Sequence, residues 1–285
     1  MTALIAAIII GFIAQLLGGS LGMGYGVSAS TGLTLAGFAP ASSSSVIHVV
    51  EIATSAFNGT VHWRAKNVDW RVVAQIGIPG GIGAFTGAVL LSMLSLDVTK
   101  PWVGAILLIL GIVILAMFLR GRSTEAHRRA HAGWLIPLGA VSGFFDSSAG
   151  GGWGVMTTST LVVTKSMQPG RSAGTTSTAR FLVAVAGTAG FLVGLGITGI
   201  DWFAVLGMVI GGIIALPIIR VVVRYVPQRT LGIVMGLALI ALNARPIALA
   251  FHPETWVVVA AMILAPLVAT GVILLTMRGA KATDA

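Results

Sequence analysis

The sequence predicts an all-α integral membrane protein made of two inverted-topology repeats. Each repeat is expected to hold a re-entrant or broken hairpin and three transmembrane helices, and one extra helix follows at the C-terminal end. Three observations support this fold class: the composition, an internal duplication, and a reversal of loop charge between the two halves. Only 9% of the residues are charged and 56% are hydrophobic, whereas soluble domains usually contain about 25% charged residues.

The membrane helices are predicted from the apolar runs, several of which approach the ~20 residues that cross a bilayer. These runs lie near residues 3–17, 42–61, 72–95, 101–119, 133–145, 172–196, 202–222, 230–243 and 255–277. The absence of cysteine excludes disulfides and thiolate ligands. The net charge of +9 sits in short loops between the runs, which indicates membrane orientation and not a nucleic-acid partner.

An internal duplication divides the chain. The segment GMGYGVSAST at 22–31 resembles GGGWGVMTTS at 150–159, and Asp69-Trp70 matches Asp201-Trp202. We therefore expect four parts. They are a first repeat at 1–119, a basic cytoplasmic linker at 120–132, a second repeat at 133–245, and an extra transmembrane helix with a tail at 246–285.

Loop charges predict that the second repeat is inverted. Basic residues cluster in the loops at 62–71 and 120–131 of the first half, and at 220–229 of the second half. The connections at 197–201 and 244–254, which correspond to the two basic loops of the first half, have no basic excess. Because positive loops tend to stay in the cytoplasm, the two halves must cross the membrane in opposite directions.

Inversion requires an even number of crossings between residues 133 and 165, a segment too short for two full spans. The glycine-rich stretch AGGGWG interrupts this segment, so we predict a hairpin of two short half-helices that enters and leaves on one side. Residues 3–37 would form the mirror-image hairpin. Non-helical backbone at this depth must be buried in protein or line a watery cavity.

The hairpin tips have the composition of an anion site. Glycines permit tight turns, and a helix that starts at the tip offers free N–H groups to an anion. The tip residues assigned to substrate are Gly24, Tyr25, Gly26, Gly152, Trp153, Gly154 and Thr157. Small residues of this kind also form GxxxG-type packing contacts, and this alternative stays open.

Three charged residues remain once the loops and tails are assigned: Glu51, Asp146 and Arg180. Charges at membrane depth usually have a function. Arg180 is expected to bind an anionic substrate with the nearby hydroxyls of Thr175, Thr176 and Ser177.

Two carboxylates and one histidine are candidates for a coupling relay. Glu51 or Asp146 would carry a proton, and His48, one helical turn before Glu51, would join the relay. Two alternatives stay open: Arg180 and a carboxylate form a purely structural pair, and His48 is a hydrogen-bonded core residue. No metal site and no cofactor is expected.

The ordered set of motifs resembles the sulfite exporter TauE/SafE family, also called the 4-toluene sulfonate uptake permeases. The resemblance covers roughly residues 5–245 and is strongest in LGGSLGMGYGVSAS, AGGGWGVMTTST and PGRSAGTTSTARF. It implies a multi-pass protein of the bacterial inner membrane that transports sulfur oxyanions or organosulfonates, with sulfite export as the first expectation.

Together these features favour a secondary transporter that binds a small anion at the repeat interface and works by alternating access. An anion channel of the same architecture is the alternative. An intramembrane enzyme is not expected, because no nucleophile–base pair or metal cluster has a convincing spacing. No P-loop of the GxxxxGK[ST] form is present, so direct coupling to ATP is not expected either. The expected partners are the small anion and the lipid bilayer.

Overall fold

The computed structural model describes residues 2–120 and 132–250, and these residues form helices and turns. The predicted linker at 120–132, apart from its two end residues, and most of the predicted C-terminal extra helix lie outside the described residues. In the first half the helices are α1 (Thr2–Leu21), α2 (Tyr25–Leu35), α3 (Pro40–Arg64), α4 (Trp70–Met93) and α5 (Leu96–Arg120). In the second half they are α6 (Ala132–Ala149), a π-helix (Gly154–Thr158) that leads into α7 (Ser159–Val163), α8 (Pro169–Leu195), α9 (Trp202–Tyr225) and α10 (Gln228–Ala250).

Equivalent helices of the two halves begin with the same types of residue, a proline in the first turn or an aspartate at the N-cap. Pro40 and Pro169 occupy the first turns of α3 and α8, where a missing N–H costs nothing. Asp69 and Asp201 cap α4 and α9, and each carboxylate accepts a hydrogen bond from the backbone N–H three residues on, at 3.3 and 2.9 Å respectively. The duplication seen in the sequence is therefore repeated in the order and the starting points of the helices.

In the part of the chain that the structure describes, five helices contain segments long and apolar enough to cross a membrane, judged by length and composition: α1, α4, α5, α8 and α9. Helix α3 has 25 residues, or about 37 Å at 1.5 Å per residue, but it carries serines, Glu51 and Asn58. These polar residues keep it out of that apolar set. The result is a multi-pass membrane protein.

Both predicted hairpins contain a break in the helix, but their arms are unequal. The chain turns at Gly22 and Gly24 in the first hairpin and at Gly150 and Gly152 in the second, all with positive φ, a conformation that suits glycine. The first arms, α1 and α6, have 20 and 18 residues, which is longer than the short half-helices predicted. Each long arm packs along a helix of the opposite half, α1 along α9 and α6 along α4, so both have a partner surface.

Glycines at matching positions allow this close packing between the halves. A Cβ at Gly143 of α6 would collide with the backbone of Gly80 in α4, and a Cβ at Gly211 of α9 would collide with the backbone of Ile8 in α1. For these helix glycines the GxxxG-type packing role holds. The backbones approach until no side chain fits between them.

Helices α3 and α8 cross the centre side by side in opposite chain directions. Gly174, near the start of α8, lies against His62 near the end of α3, and Gly187 lies against His48. The midpoints of the two helices, which carry Glu51 and Arg180, therefore face each other. This arrangement positions the charged residues predicted from the sequence.

The two halves pack differently around this central pair. Helix α4 packs along α8 as well as α6, whereas α9 packs along α1 and contacts α3 only slightly. The separation of α9 from α3 leaves a cavity on one side of the molecule.

Candidate functional site

The two glycine-rich tips meet at the centre of the molecule. Ser30 in α2 donates a hydrogen bond to the carbonyl oxygen of Ala149 at 2.6 Å, and a Cβ added at Gly26 would lie 2.9 Å from the Gly150 carbonyl oxygen. Ser44 of α3 donates to the carbonyl oxygen of Ser147, also at 2.6 Å. Small residues and serine hydroxyls thus satisfy backbone groups that lipid could not satisfy.

Arg180 lies beside these tips and faces two carboxylates. Its Nη1 is 2.9 Å from Glu51 Oε1, and its Nη2 is 3.6 Å from Asp146 Oδ1. The side chains of Glu51 and Asp146 are each 1% exposed, whereas that of Arg180 is 15% exposed. The structure therefore brings all three predicted membrane charges together, and only the guanidinium reaches open space.

Asp146 is held by the second tip. Its Oδ1 accepts the backbone N–H of Trp153 at 2.7 Å, seven residues further along the chain. This bond closes the turn around Gly150 and Gly152. Asp146 therefore has a structural role in addition to its contact with Arg180.

His48 is hydrogen-bonded on both ring nitrogens. Its Nδ1 lies 2.9 Å from the Ser44 carbonyl oxygen, and its Nε2 lies 2.8 Å from the Ser147 hydroxyl and 3.6 Å from Asp146 Oδ2. Because a carbonyl oxygen can only accept, Nδ1 must donate, and Nε2 then accepts from Ser147 in the neutral ring. The surroundings of His48 match the hydrogen-bonded core alternative, while its contact with Asp146 also fits a relay.

The donor atoms of His48, Glu51 and Asp146 lie within 4.8 Å of one another. The cation that meets these donors is the guanidinium of Arg180. We therefore assign no metal ion to this cluster.

A cavity of about 560 Å³ leads to Arg180 between α1, the first tip, α3, α8 and α9. We call this cavity the vestibule. Its polar lining comes from Gln15, Tyr25, Thr54, Ser55, Asn58, His62, Ser177 and Arg180. The hydroxyl of Tyr25 and the Nε of Arg180 are buried and have no hydrogen-bond partner among the described residues. The inner end of the vestibule is thus lined by two residues that each carry a buried donor without a hydrogen bond from the described residues.

The remaining predicted substrate residues fall into two groups. Ser177 lines the vestibule with Tyr25 and Arg180. Gly24, Gly26, Gly152 and Gly154 shape the two tips.

Four predicted residues instead hold the second tip and the start of α8. Trp153 is 1% exposed and donates from Nε1 to the Thr176 carbonyl oxygen at 2.9 Å. Thr157 donates to the Trp153 carbonyl oxygen, and the hydroxyl of Thr176 bonds to that of Thr158. Thr175 accepts the backbone N–H of Asp69 at 3.0 Å. Their polar atoms are used in internal hydrogen bonds.

Five polar vestibule residues were not predicted from the sequence: Gln15, Thr54, Ser55, Asn58 and His62. A signal for two of them exists, since Gln15 and Asn58 are polar amides inside apolar runs. Polar residues inside membrane helices usually face a partner or a watery cavity, so uncharged amides in apolar runs predict lining residues as charges do.

Comparison with known proteins identifies the family of the chain. Residues 7–245 match the family described as Sulfite exporter TauE/SafE. The chain is 41% identical over 248 residues to the protein named Probable membrane transporter protein YtnM from Bacillus subtilis (strain 168), a match that covers 86% of this chain and 83% of that protein. No solved structure matches the chain. The charged centre, the glycine-rich tips and these matches together place the chain in the sulfite exporter TauE/SafE family of membrane transporters.

Proposed function

We propose that the protein is a secondary transporter that moves sulfite, or a related sulfur oxyanion or organosulfonate, by alternating access. The anion would bind Arg180 at the interface between the two repeats. The observation that carries the proposal is the vestibule, which is open on one side and ends at a single partly exposed guanidinium. A forked guanidinium suits the bidentate recognition of an oxyanion.

An inverted arrangement of the repeats is supported by contacts between the helix ends. Arg171 at the start of α8 is 3.1 Å from Asp69 at the start of α4, and Arg229 at the start of α10 donates to the Leu119 carbonyl oxygen at the end of α5. These basic ends would all lie on the cytoplasmic side. In that orientation α8 and α10 cross the membrane in the direction opposite to α3 and α5, their equivalents.

The vestibule extends to Val61 and His62 near the end of α3 and to Ala173 near the start of α8, the helix ends that carry Arg64 and Arg171. We therefore infer that it opens to the cytoplasm. The opposite side of Arg180 is packed: Gly187 lies against His48 and Ser147, and the Phe191 ring meets the His48 ring edge-on at 5.6 Å. A pathway that is open at one end and packed at the other favours alternating access over an open channel.

The choice of sulfur anions rests on the family, whose description names sulfite export. The relative from Bacillus subtilis is described only as a probable membrane transporter. The direct test is the flux of labelled sulfite, sulfate and an organosulfonate in proteoliposomes with an imposed pH gradient. Saturable flux of one of these anions would support the transporter, whereas passive, non-saturating conductance would favour the channel.

Removal of the guanidinium tests the binding site. Arg180→Ala should abolish anion binding, and Arg180→Lys should restore only part of it because an ammonium cannot make a forked contact. The paired change Arg180→Ala/Glu51→Gln avoids leaving two buried carboxylates without a cation, which would otherwise threaten folding. Binding is measured by calorimetry on folded, detergent-purified protein.

The matched control is Arg171→Ala, which removes an exposed guanidinium in the same helix. Its anion affinity should equal that of the unmodified protein. If the anion affinity of Arg180→Ala/Glu51→Gln equalled that of the unmodified protein, Arg180 would not be part of the anion-binding site.

A further inference from the structure

The charges around Arg180 do not balance. Glu51 and Asp146 contribute two negative charges, Arg180 contributes one positive charge, and His48 is hydrogen-bonded as a neutral ring. All four lie at the centre of the protein, and both carboxylates are buried. An uncompensated buried charge is costly, and a bound anion would add a second such charge unless a proton entered with it.

The hydrogen bonds indicate which carboxylate takes that proton. Asp146 accepts the Trp153 N–H at Oδ1, and the same oxygen faces Arg180, so this carboxylate is already hydrogen-bonded. Glu51 has no hydrogen bond to either carboxylate oxygen from the described residues, and its ion pair with Arg180 is its one polar contact there. When the Arg180 guanidinium binds a substrate anion in place of Glu51, the Glu51 carboxylate loses the interaction that stabilises its negative charge.

The inner end of the vestibule lies close to Glu51. Ser55, one turn after Glu51, lines the cavity and donates to the backbone carbonyl oxygen of Glu51. Tyr25 lines the same end, and Glu51 Oε1 lies 3.3 Å from the place where a Cβ at Gly26 would sit. Glu51 therefore lies directly behind the inner wall of the vestibule.

From this geometry we propose that Glu51 is the proton-binding site of the transporter and that a proton and the substrate anion bind together. The inference rests on the proposed anion transport. In the empty site, ionised Glu51 pairs with Arg180. When an oxyanion binds Arg180, a proton from the vestibule water adds to a carboxylate oxygen of Glu51, and release of the anion returns that proton and restores the pair.

Several ionisable groups surround Glu51 and must be separated in a test. They are Arg180 from α8, Asp146 from α6, Tyr25 from α2, and His48 on its own helix, with His62 at the vestibule wall. An organosulfonate is the suitable probe because its charge stays constant where carboxylates and histidines titrate. Its dissociation constant and the protons taken up on binding are measured by calorimetry in buffers of different ionisation enthalpy.

At a pH where Glu51 is ionised in the empty site, the unmodified protein should take up about one proton per bound organosulfonate. Its affinity for the organosulfonate should then fall about tenfold for each unit by which the pH rises, as linkage requires. Glu51→Gln should bind the probe with no proton uptake and with an affinity that does not vary with pH. Asp146→Asn should retain the uptake. Asp69→Asn is the matched control outside the site, because asparagine also caps a helix, and it should behave like the unmodified protein.

Binding by the unmodified protein without proton uptake would overturn the proposal, and this measurement needs no variant to fold. Proton uptake that persists in Glu51→Gln would overturn it as well, as would loss of binding in a folded Glu51→Gln protein. Failure of the unmodified protein to bind sulfite, sulfate or an organosulfonate would instead overturn the proposed anion transport. The two failures are therefore distinguishable.

Discussion

At the scale of single residues, Tyr25 and Trp153 show how two equivalent positions take different roles. Tyr25 lines the vestibule, and its hydroxyl has no hydrogen-bond partner within residues 2–120 and 132–250. Trp153 is instead packed against Gly80 and donates to a backbone carbonyl oxygen. If the Tyr25 hydroxyl donates to the anion, Tyr25→Phe should weaken binding. The expected loss is about 1.5–3 kcal/mol, or roughly 10- to 100-fold in affinity, and calorimetry measures it.

The matched variant is Trp153→Phe, which should lower the unfolding temperature and change anion affinity less. Tyr25→Phe should leave the unfolding temperature unchanged because the lost hydroxyl has no partner in the empty site. Equal affinity of Tyr25→Phe and the unmodified protein would contradict the assignment of this hydroxyl to the substrate.

At the scale of structural elements, the contact between the two tips depends on glycines. A Cβ at Gly151 would collide with the backbone of Gly26 and Val27, whereas the nearest atom to a Cβ at Gly154 is Met23 Cβ at 3.6 Å. Gly151→Ala should therefore destabilise the protein by about 1–3 kcal/mol, as overpacking of a dense interior does. Gly154→Ala should have little effect.

Thermal unfolding in detergent compares the two variants directly. Both replace a glycine of the same motif with alanine, but Gly154 begins the π-helix whereas Gly151 lies in the turn. Only a difference larger than the ~1 kcal/mol by which alanine favours a helix over glycine therefore supports the contact between the tips. Similar unfolding temperatures for Gly151→Ala and Gly154→Ala would mean that the two tips do not need to touch.

At the scale of the whole molecule, the difference between the two halves suggests how transport proceeds. Helix α4 packs on α8, while α9 stands away from α3; an exchange of these two arrangements would close the vestibule and open a pathway on the other side. A disulfide between α4 and α8 should prevent this exchange. A Cβ at Gly81 would lie 3.4 Å from the Ala186 Cβ, close to disulfide geometry.

The chain contains no cysteine, so Gly81→Cys/Ala186→Cys has no competing thiols. After oxidation this variant should bind the anion from the vestibule but stop transporting it, and a reductant should restore flux. Each single-cysteine variant serves as a control. Flux by the oxidised protein at the rate of the reduced protein would show that the α4–α8 contact does not open during transport.

The main predictions from the sequence concern properties that short segments carry by themselves. Apolar runs, glycine breaks, and charges inside those runs at Glu51, Asp146 and Arg180 follow from the hydropathy and the conformational preference of individual residues. The prediction of short half-helices in both hairpins was less successful, because the lengths of α1 and α6 depend on partner helices far along the chain.

The sequence by itself determined the class of protein, its family, the helix breaks and the three charged residues near the site, because each is visible within one repeat. Only the tertiary structure decided that Arg180 faces both carboxylates, that Asp146 closes the second tip, and that Tyr25 and not Trp153 lines the vestibule. These outcomes depend on contacts between residues up to 129 positions apart, as for Glu51 and Arg180. They also depend on an asymmetry between the two halves that a duplicated sequence does not contain, because equivalent segments meet different neighbours.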